Sequence, residues 1–172
     1  MRHDPLADPQ PLIRRVYAYV AYRIGDGADA EDVTSATFER ALRYRASFDP
    51  KRGDAVSWLI GIARRCIADA LQRGDVPTGD LPEHPVESDE ELALSRLDLR
   101  AAVAQLDERD RELVALRFGA DLTARQIAEL LDLKTNAVEV ALHRALGRLR
   151  RALEQDGAPS AETLALKPEA SP

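Results

Sequence analysis

Residues 123–151 constrain the fold more than any other part of the chain, because they predict two helices joined by a tight turn. Thr123 is followed three residues later by Gln126, the spacing of a capping box at a helix start. Thr135 is of the type that caps a second helix, and the apolar residues after it recur at helical spacing. Such a pair is typical of a helix-turn-helix, whose second helix normally enters the DNA major groove.

A plain helical hairpin with only a core role is the alternative to this interpretation. Ala128 is small where the two helices must cross, and Val138, ten residues later, is apolar where the second helix packs back. Asp132 stands at the turn and tolerates a left-handed backbone better than most residues. The outer arc of the second helix is predicted to carry four cations, Arg144, Arg148, Arg150 and Arg151. These features favour DNA binding.

Composition excludes several classes of protein. Cys66 is the one cysteine, so there is no disulfide framework, and the three histidines lie far apart without metal-ligand spacing. The chain has no glycine-rich phosphate loop, no HExxH sequence and no plausible pair of nucleophile and base, so we predict neither an enzyme nor a cofactor. It also lacks a run of about 20 apolar residues and a signal-peptide pattern. We expect a soluble, cytoplasmic protein without membrane insertion.

The net charge of −6 is unusual for a protein that binds DNA. Much of it comes from residues 74–95, which hold seven acidic residues and neither Lys nor Arg. Local basic faces are therefore compatible with the overall charge. A chain this acidic should still bind DNA weakly by itself, because neutralisation of phosphates dominates affinity. The charge therefore indicates a larger partner that supplies basic surface.

Helical periodicity runs through most of the chain, so we predict an all-α protein of two small helical domains joined by a flexible acidic linker. The first is a bundle of three to four helices, and the second has four helices that include the helix-turn-helix. The predicted segments are a disordered lead-in at 1–9, the first domain at 10–73, the linker at 74–91, the second domain at 92–155 and a flexible tail at 156–172.

Several motifs in a fixed order carry a family resemblance. They lie at residues 29–33 with Phe38, at 48–50, 58–59 and 62–69, at 106–113, and at 126–129 and 143–145. Together they resemble the extracytoplasmic-function class of bacterial sigma factors in the sigma-70 family, with region 2 at 10–73 and region 4 at 92–155. The resemblance implies a protein that binds core RNA polymerase, directs promoter-specific transcription initiation and has an anti-sigma partner.

The resemblance also implies three sets of site residues. Region 4 would read the −35 element of promoter DNA with Lys134, Thr135, Asn136, Glu139, Val140, His143, Arg144 and Arg148. Region 2 would hold the melted −10 strand with Lys51, Arg52, Trp58, Arg64 and Arg65. The polymerase would be bound by Asp29, Glu31, Asp32 and Phe38.

Simpler roles stay open for some of these residues. Acids at a helix start are favoured by the helix dipole alone, and Trp58 suits a core position better than a stacking surface. The linker acids could mimic nucleic acid in the RNA path of the polymerase or only keep a spacer extended. A stand-alone helix-turn-helix regulator and a polymerase adaptor are the alternative functions.

Overall fold

The computed structural model describes residues 4–75 and 90–156, with side chains at 4–75 and 98–155. Every regular element within these residues is helical, which confirms the predicted all-α class. Residues 1–3 of the predicted lead-in, most of the predicted linker and nearly all of the predicted tail lie outside the described residues. None of the described helices is long and apolar enough to cross a bilayer.

The first half is a bundle of three helices. It consists of α1 (Pro9–Ile24), α2 (Ala28–Arg43), a 3₁₀ turn (Arg45–Ser47) and α3 (Ala55–Arg73). Each of the three helices packs against the other two. The Asp54 carboxylate caps α3 by accepting from the Ser57 N–H at 2.7 Å. Gly74 ends α3 with a φ of 72°, a left-handed conformation that suits glycine.

The second half is built around its last helix. It consists of α4 (Glu90–Gln105), α5 (Glu108–Val114), a π-helical turn (Ala115–Gly119), α6 (Ala124–Leu131) and α7 (Thr135–Asp156). Helix α7 packs against α4, α5 and α6. Asp107 caps α5 by accepting from the Asp110 N–H at 2.8 Å.

The two halves pack directly against each other. Helix α1 lies against α5 and the π-helical turn, and α3 contacts α6. Buried residues from both halves, among them Tyr19, Leu59, Leu116 and Val138, belong to one continuous apolar cluster. The two predicted helical domains are therefore present, but they share a core in this structure.

Candidate nucleic-acid interfaces

The helix-turn-helix forms as the sequence predicts. The Thr123 hydroxyl accepts from the Gln126 N–H at 3.2 Å, and the Gln126 side chain accepts from the Thr123 N–H at 2.8 Å. This capping box starts α6, and Asp132 ends it with a φ of 55°. The Leu133 N–H donates to the Ala128 carbonyl at 2.9 Å, which closes the turn before α7. The chain therefore changes direction in three residues.

Helix α7 divides into a buried and an exposed face near its N-terminus. Ala128 of α6 is buried, as are Val138 and Leu142 of α7, and these three belong to the shared apolar cluster. The predicted −35 residues on the other face are exposed, namely Lys134, Thr135, Asn136, Glu139, Val140, His143 and Arg144. The first turns of α7 thus present polar and apolar groups capable of contacting base edges.

Arg148, the eighth predicted −35 residue, has an additional role. Its guanidinium forms an ion pair with Asp110 of α5. The Asp110 side chain is only 7% exposed, whereas that of Arg148 is 49% exposed. This pair joins α7 to α5, so Arg148 compensates a buried carboxylate within the domain.

A basic cavity of about 430 Å³ opens where α2 ends and α3 passes it. It is lined by Arg40, Arg43, Tyr44, Ser47, Trp58, Ile62 and Arg65. Trp58 packs against Phe48, with ring centroids 5.4 Å apart and planes tilted by 59°. The indole is partly buried against the apolar cluster and also borders the cavity, so its position is compatible with a core role and with a stacking role.

Sequence reasoning missed three residues of this cavity, Arg40, Arg43 and Tyr44. Arg40 donates to Asp69 of α3 at 2.6 Å, and this hydrogen bond raises the pKa of the Arg40 guanidinium. Arg43 is exposed, as is Tyr44 at 55%. The alternation of Arg43, Tyr44 and Arg45 was the available signal, because cations that flank an aromatic ring suit single-stranded nucleic acid.

The remaining predicted −10 residues separate into different environments. Lys51 and Arg52 are exposed in the loop before α3, outside the lining of the cavity. Arg65 lines the cavity, but its neighbour Arg64 faces the second half of the molecule. The Arg64 Nε lies 2.9 Å from a carboxylate oxygen of Glu112 in α5. Adjacent arginines on α3 thus have different partners.

Glu112 is the centre of a buried polar cluster between the halves. Besides Arg64, it forms an ion pair with Arg23 of α1, and both of these side chains are 11% exposed. The Tyr19 hydroxyl lies 3.1 Å from each Glu112 carboxylate oxygen. Burial raises the pKa of Tyr19, which keeps its hydroxyl protonated and able to donate.

The predicted polymerase-binding residues lie on α2. Glu31 and Asp32 are exposed and Asp29 is partly exposed, so the start of α2 carries a negative patch. Asp29 and Glu31 fall in the first helical turn, where the dipole also favours them. Phe38 is partly buried and packs against the apolar cluster. The acids are thus placed for a basic partner, whereas Phe38 largely supports the bundle.

The described residues offer no group of His, Cys, Asp or Glu side chains suited to hold a metal ion. Their candidate chemistry is that of the basic cavity, the exposed α7 face and the acidic start of α2. These three surfaces can bind phosphates, bases and cationic protein groups by ion pairs, hydrogen bonds and stacking.

Comparison with known families matches both halves. The family model for Sigma-70 region 2 matches residues 10–75, and that for Sigma-70 region 4 matches residues 96–149. The ECF RNA polymerase sigma factor BldN of Streptomyces coelicolor is 37% identical over 82% of this chain, which spans 57% of the length of BldN. The ECF RNA polymerase sigma factor ShbA of Streptomyces griseus is 35% identical, over 89% of this chain and 87% of ShbA.

Solved structures show the same fold. The sigma factor RpoE in complex with the anti-sigma factor NepR from Bartonella quintana aligns with a TM-score of 0.68 at 18% identity, over 84% of this chain and 93% of the other. CnrH in complex with the cytosolic domain of CnrY aligns with a TM-score of 0.61 at 24% identity, over 87% and 84%. At these identities the likeness concerns the fold alone.

Proposed function

The chain belongs to the extracytoplasmic-function sigma factors of the sigma-70 family, and from this premise we propose that it directs core RNA polymerase to a specific set of promoters. Members of this family are transcription initiation factors and not enzymes. One observation carries the proposal: each half of the molecule has its own surface suited to nucleic acid. The region 2 half has a basic, aromatic-lined cavity, and the region 4 half has an exposed helix-turn-helix face. The proposed domains are residues 10–73 and 92–155.

The cavity between α2 and α3 is the proposed site for a flipped base of the −10 element. A base that leaves the stack needs a pocket and aromatic surfaces, which Tyr44 and Trp58 supply. Arg43 and Arg65 border the cavity and are exposed, so they can pair with phosphates on either side of that base. Lys51 and Arg52 extend this positive surface along the loop before α3.

The exposed face of α7 is the proposed reader of the −35 element. Asn136 can form two hydrogen bonds with adenine, Glu139 can accept from cytosine, and Val140 can contact a thymine methyl group. Arg144 lies farther along the helix and suits a phosphate contact. Lys134, Thr135 and His143 complete the exposed set.

The polymerase is the proposed partner of the acidic start of α2. Asp29, Glu31 and Asp32 would pair with a basic patch on the polymerase. Phe38 would hold α2 in position by packing against the apolar cluster. An anti-sigma factor is the other proposed partner, since the sigma factor RpoE, which has the same fold, was solved in complex with the anti-sigma factor NepR. The proposed site of action is the cytoplasm, where the polymerase works.

Transcription in vitro tests this function directly. Core RNA polymerase and a genomic fragment library, with and without the purified protein, should give a discrete set of new start sites only when the protein is present. A stand-alone regulator would instead shift duplex DNA without polymerase. A polymerase adaptor would bind the enzyme and change its output without selecting promoters.

Asn136→Ala should reduce transcription from a cognate promoter about tenfold, because a bidentate base contact contributes about 1–3 kcal/mol of discrimination. Asn136 is exposed, so the free energy of unfolding should stay within about 0.5 kcal/mol of the wild type. Gln155→Ala, an exposed amide near the other end of α7, is the matched control. Equal promoter activity of both variants would refute the reading role of Asn136.

Tyr44→Ala should weaken binding of a single-stranded −10 oligonucleotide by the holoenzyme about tenfold. Stacking of a base on an aromatic ring contributes about 1–3 kcal/mol, and the exposed Tyr44 ring contributes little to the core. Phe118→Ala removes a comparably exposed ring from the other half and serves as the control. Fluorescence anisotropy of a labelled strand measures both, and an unchanged affinity for Tyr44→Ala would exclude stacking at this position.

A further inference from the structure

We infer that the cavity between α2 and α3 selects guanine as its base, and that Arg40, held in place by Asp69, determines this choice. The inference rests on the proposed function of the cavity as the site of a flipped −10 base. It adds the identity of that base and the residue that reads it. The chemistry of the lining, the anchoring of Arg40 and the exposure of the neighbouring arginines support it.

The side chains that line the cavity are rich in hydrogen-bond donors. Three of them are arginines, the others are a tyrosine, a serine and a tryptophan, and Ile62 is the apolar member. An arginine offers five N–H donors and no acceptor, and an indole also only donates. None of the described lining residues carries a carboxylate or a carboxamide group. A base in this cavity is therefore bound best through acceptor atoms on its edge.

Guanine meets this requirement better than the other three bases. Its N7 and O6 atoms are neighbouring acceptors, which match two N–H groups of one guanidinium. Adenine and cytosine carry an amino donor on the corresponding edge, and that donor would meet the N–H groups of the arginines. Thymine offers one acceptor beside its methyl group on that edge, so it takes one such hydrogen bond. Guanine is also a purine, and its larger ring system gains more from stacking on Tyr44 and Trp58.

Arg40 is anchored at the wall of the cavity. Its Nη2 donates to the Asp69 Oδ2 at 2.6 Å, and this bond joins α2 to α3. The Arg40 side chain is 36% exposed, so it is partly covered while it lines the cavity. The bond to Asp69 uses one of five N–H donors, and the others lie on the same planar fork. An anchored guanidinium loses less side-chain freedom when it binds a base, so its contacts favour binding more.

Arg43 and Arg65 suit a different task. Both residues are exposed where they border the cavity, which places them for phosphates beside the base. Phosphate contacts add affinity in every sequence and carry no direct information about the base. Asp69 lies outside the described lining, so its carboxylate acts on the base through Arg40. Arg40 is therefore the specificity-determining residue, and Asp69 is its positioning residue.

Binding of short single strands to the full-length chain tests the choice of base. Labelled oligothymidine strands of about ten nucleotides carry guanine, adenine, cytosine or thymine at one central position. Fluorescence anisotropy at low salt compares their affinities. We expect the guanine strand to bind about fivefold or more tightly than the thymine strand, which is the lower end of the discrimination from one bidentate base contact.

Variants at two positions then test the roles of the pair. Arg40→Gln should abolish the preference for guanine, because a glutamine side chain pairs with adenine instead. Arg14→Gln removes the same charge from an exposed position on α1 and should keep the preference. Asp69→Ala should raise the affinity for the thymine strand, because a negative charge is lost, and lower the ratio of guanine to thymine affinity. A purely structural role of Asp69 would not move these two quantities in opposite directions.

Three outcomes would overturn the inference. Equal affinities of the wild type for the four strands, or a guanine preference that Arg40→Gln retains, would overturn it and leave the proposed function standing. Binding of none of the strands would exclude the cavity as a base site, and the proposed −10 site would fall with it. If Asp69→Ala loses helical circular dichroism, Asp69→Asn is measured by the same ratio. These measurements use neither polymerase nor promoter, so a failure of promoter-specific transcription would leave their result unchanged.

Discussion

Replacing Val138 by aspartate should unfold the C-terminal helical domain, whereas the same replacement at the adjacent Ala137 should leave it folded. Val138 is 0% exposed and lies in the apolar cluster where α7 packs back on α6. A carboxylate at this position would be buried without a partner, which costs about 5 kcal/mol or more. That loss is comparable with the whole stability of a small domain.

The Ala137 control makes this result specific. Ala137 is exposed on the same turn of α7, so Ala137→Asp adds the same charge in the same part of the helix without burying it. Thermal unfolding followed by circular dichroism measures both variants. Melting temperatures of Val138→Asp and Ala137→Asp that agree within about 3 °C would show that Val138 is not the packing centre of the helix-turn-helix.

Local signals made the helix-turn-helix predictable from sequence. Three features are local: the capping box of Thr123 and Gln126, the left-handed backbone at Asp132, and the burial of Ala128 and Val138. Each involves residues within one helical turn or in the neighbouring helix. Such features are set by spacing along the chain, so they can be recognised without knowledge of the rest of the fold. Their predicted geometry is confirmed.

Contacts over long sequence distances could not be predicted in the same way. Glu112 meets Tyr19 and Arg23 across about 90 residues of chain, and no local pattern marks such a pairing. The cavity is similarly built from the end of α2 and the middle of α3, so the alternation around Tyr44 did not by itself indicate that this ring lies beside Trp58 and Arg65. The side-chain partner of Arg64 depends on the docking of the two halves. The roles of all three sets of site residues stay predictions.

The contrast between Arg144 and Arg148 shows where charge alone misleads. The family resemblance places both among the residues that contact the −35 element, and both follow the first turns of α7. In the structure, Arg148 forms an ion pair with the buried Asp110 of α5. Arg144 is exposed on α7. A residue with this partner contributes to the fold of the domain whether or not DNA is bound.

Arg148→Ala should therefore lower the free energy of unfolding by about 2–3 kcal/mol. Removal of one member of a fully buried pair costs about 3–5 kcal/mol, and the half-exposed Arg148 side chain reduces that figure through solvent screening. Arg144→Ala removes the same charge from an exposed position and should change stability by less than about 0.5 kcal/mol. Urea unfolding measures both differences.

The double variant Asp110→Asn with Arg148→Ala separates the two possible causes of that loss. If Arg148 acts by compensating the Asp110 carboxylate, the combined change should destabilise the domain by less than the sum of the single changes, by about 1 kcal/mol or more. Additive effects would mean that Arg148 stabilises α7 by packing alone. Arg148→Ala and Arg144→Ala each remove one positive charge from α7. Promoter affinity of the folded variants, measured at the same salt concentration, therefore compares the phosphate contacts of the two arginines.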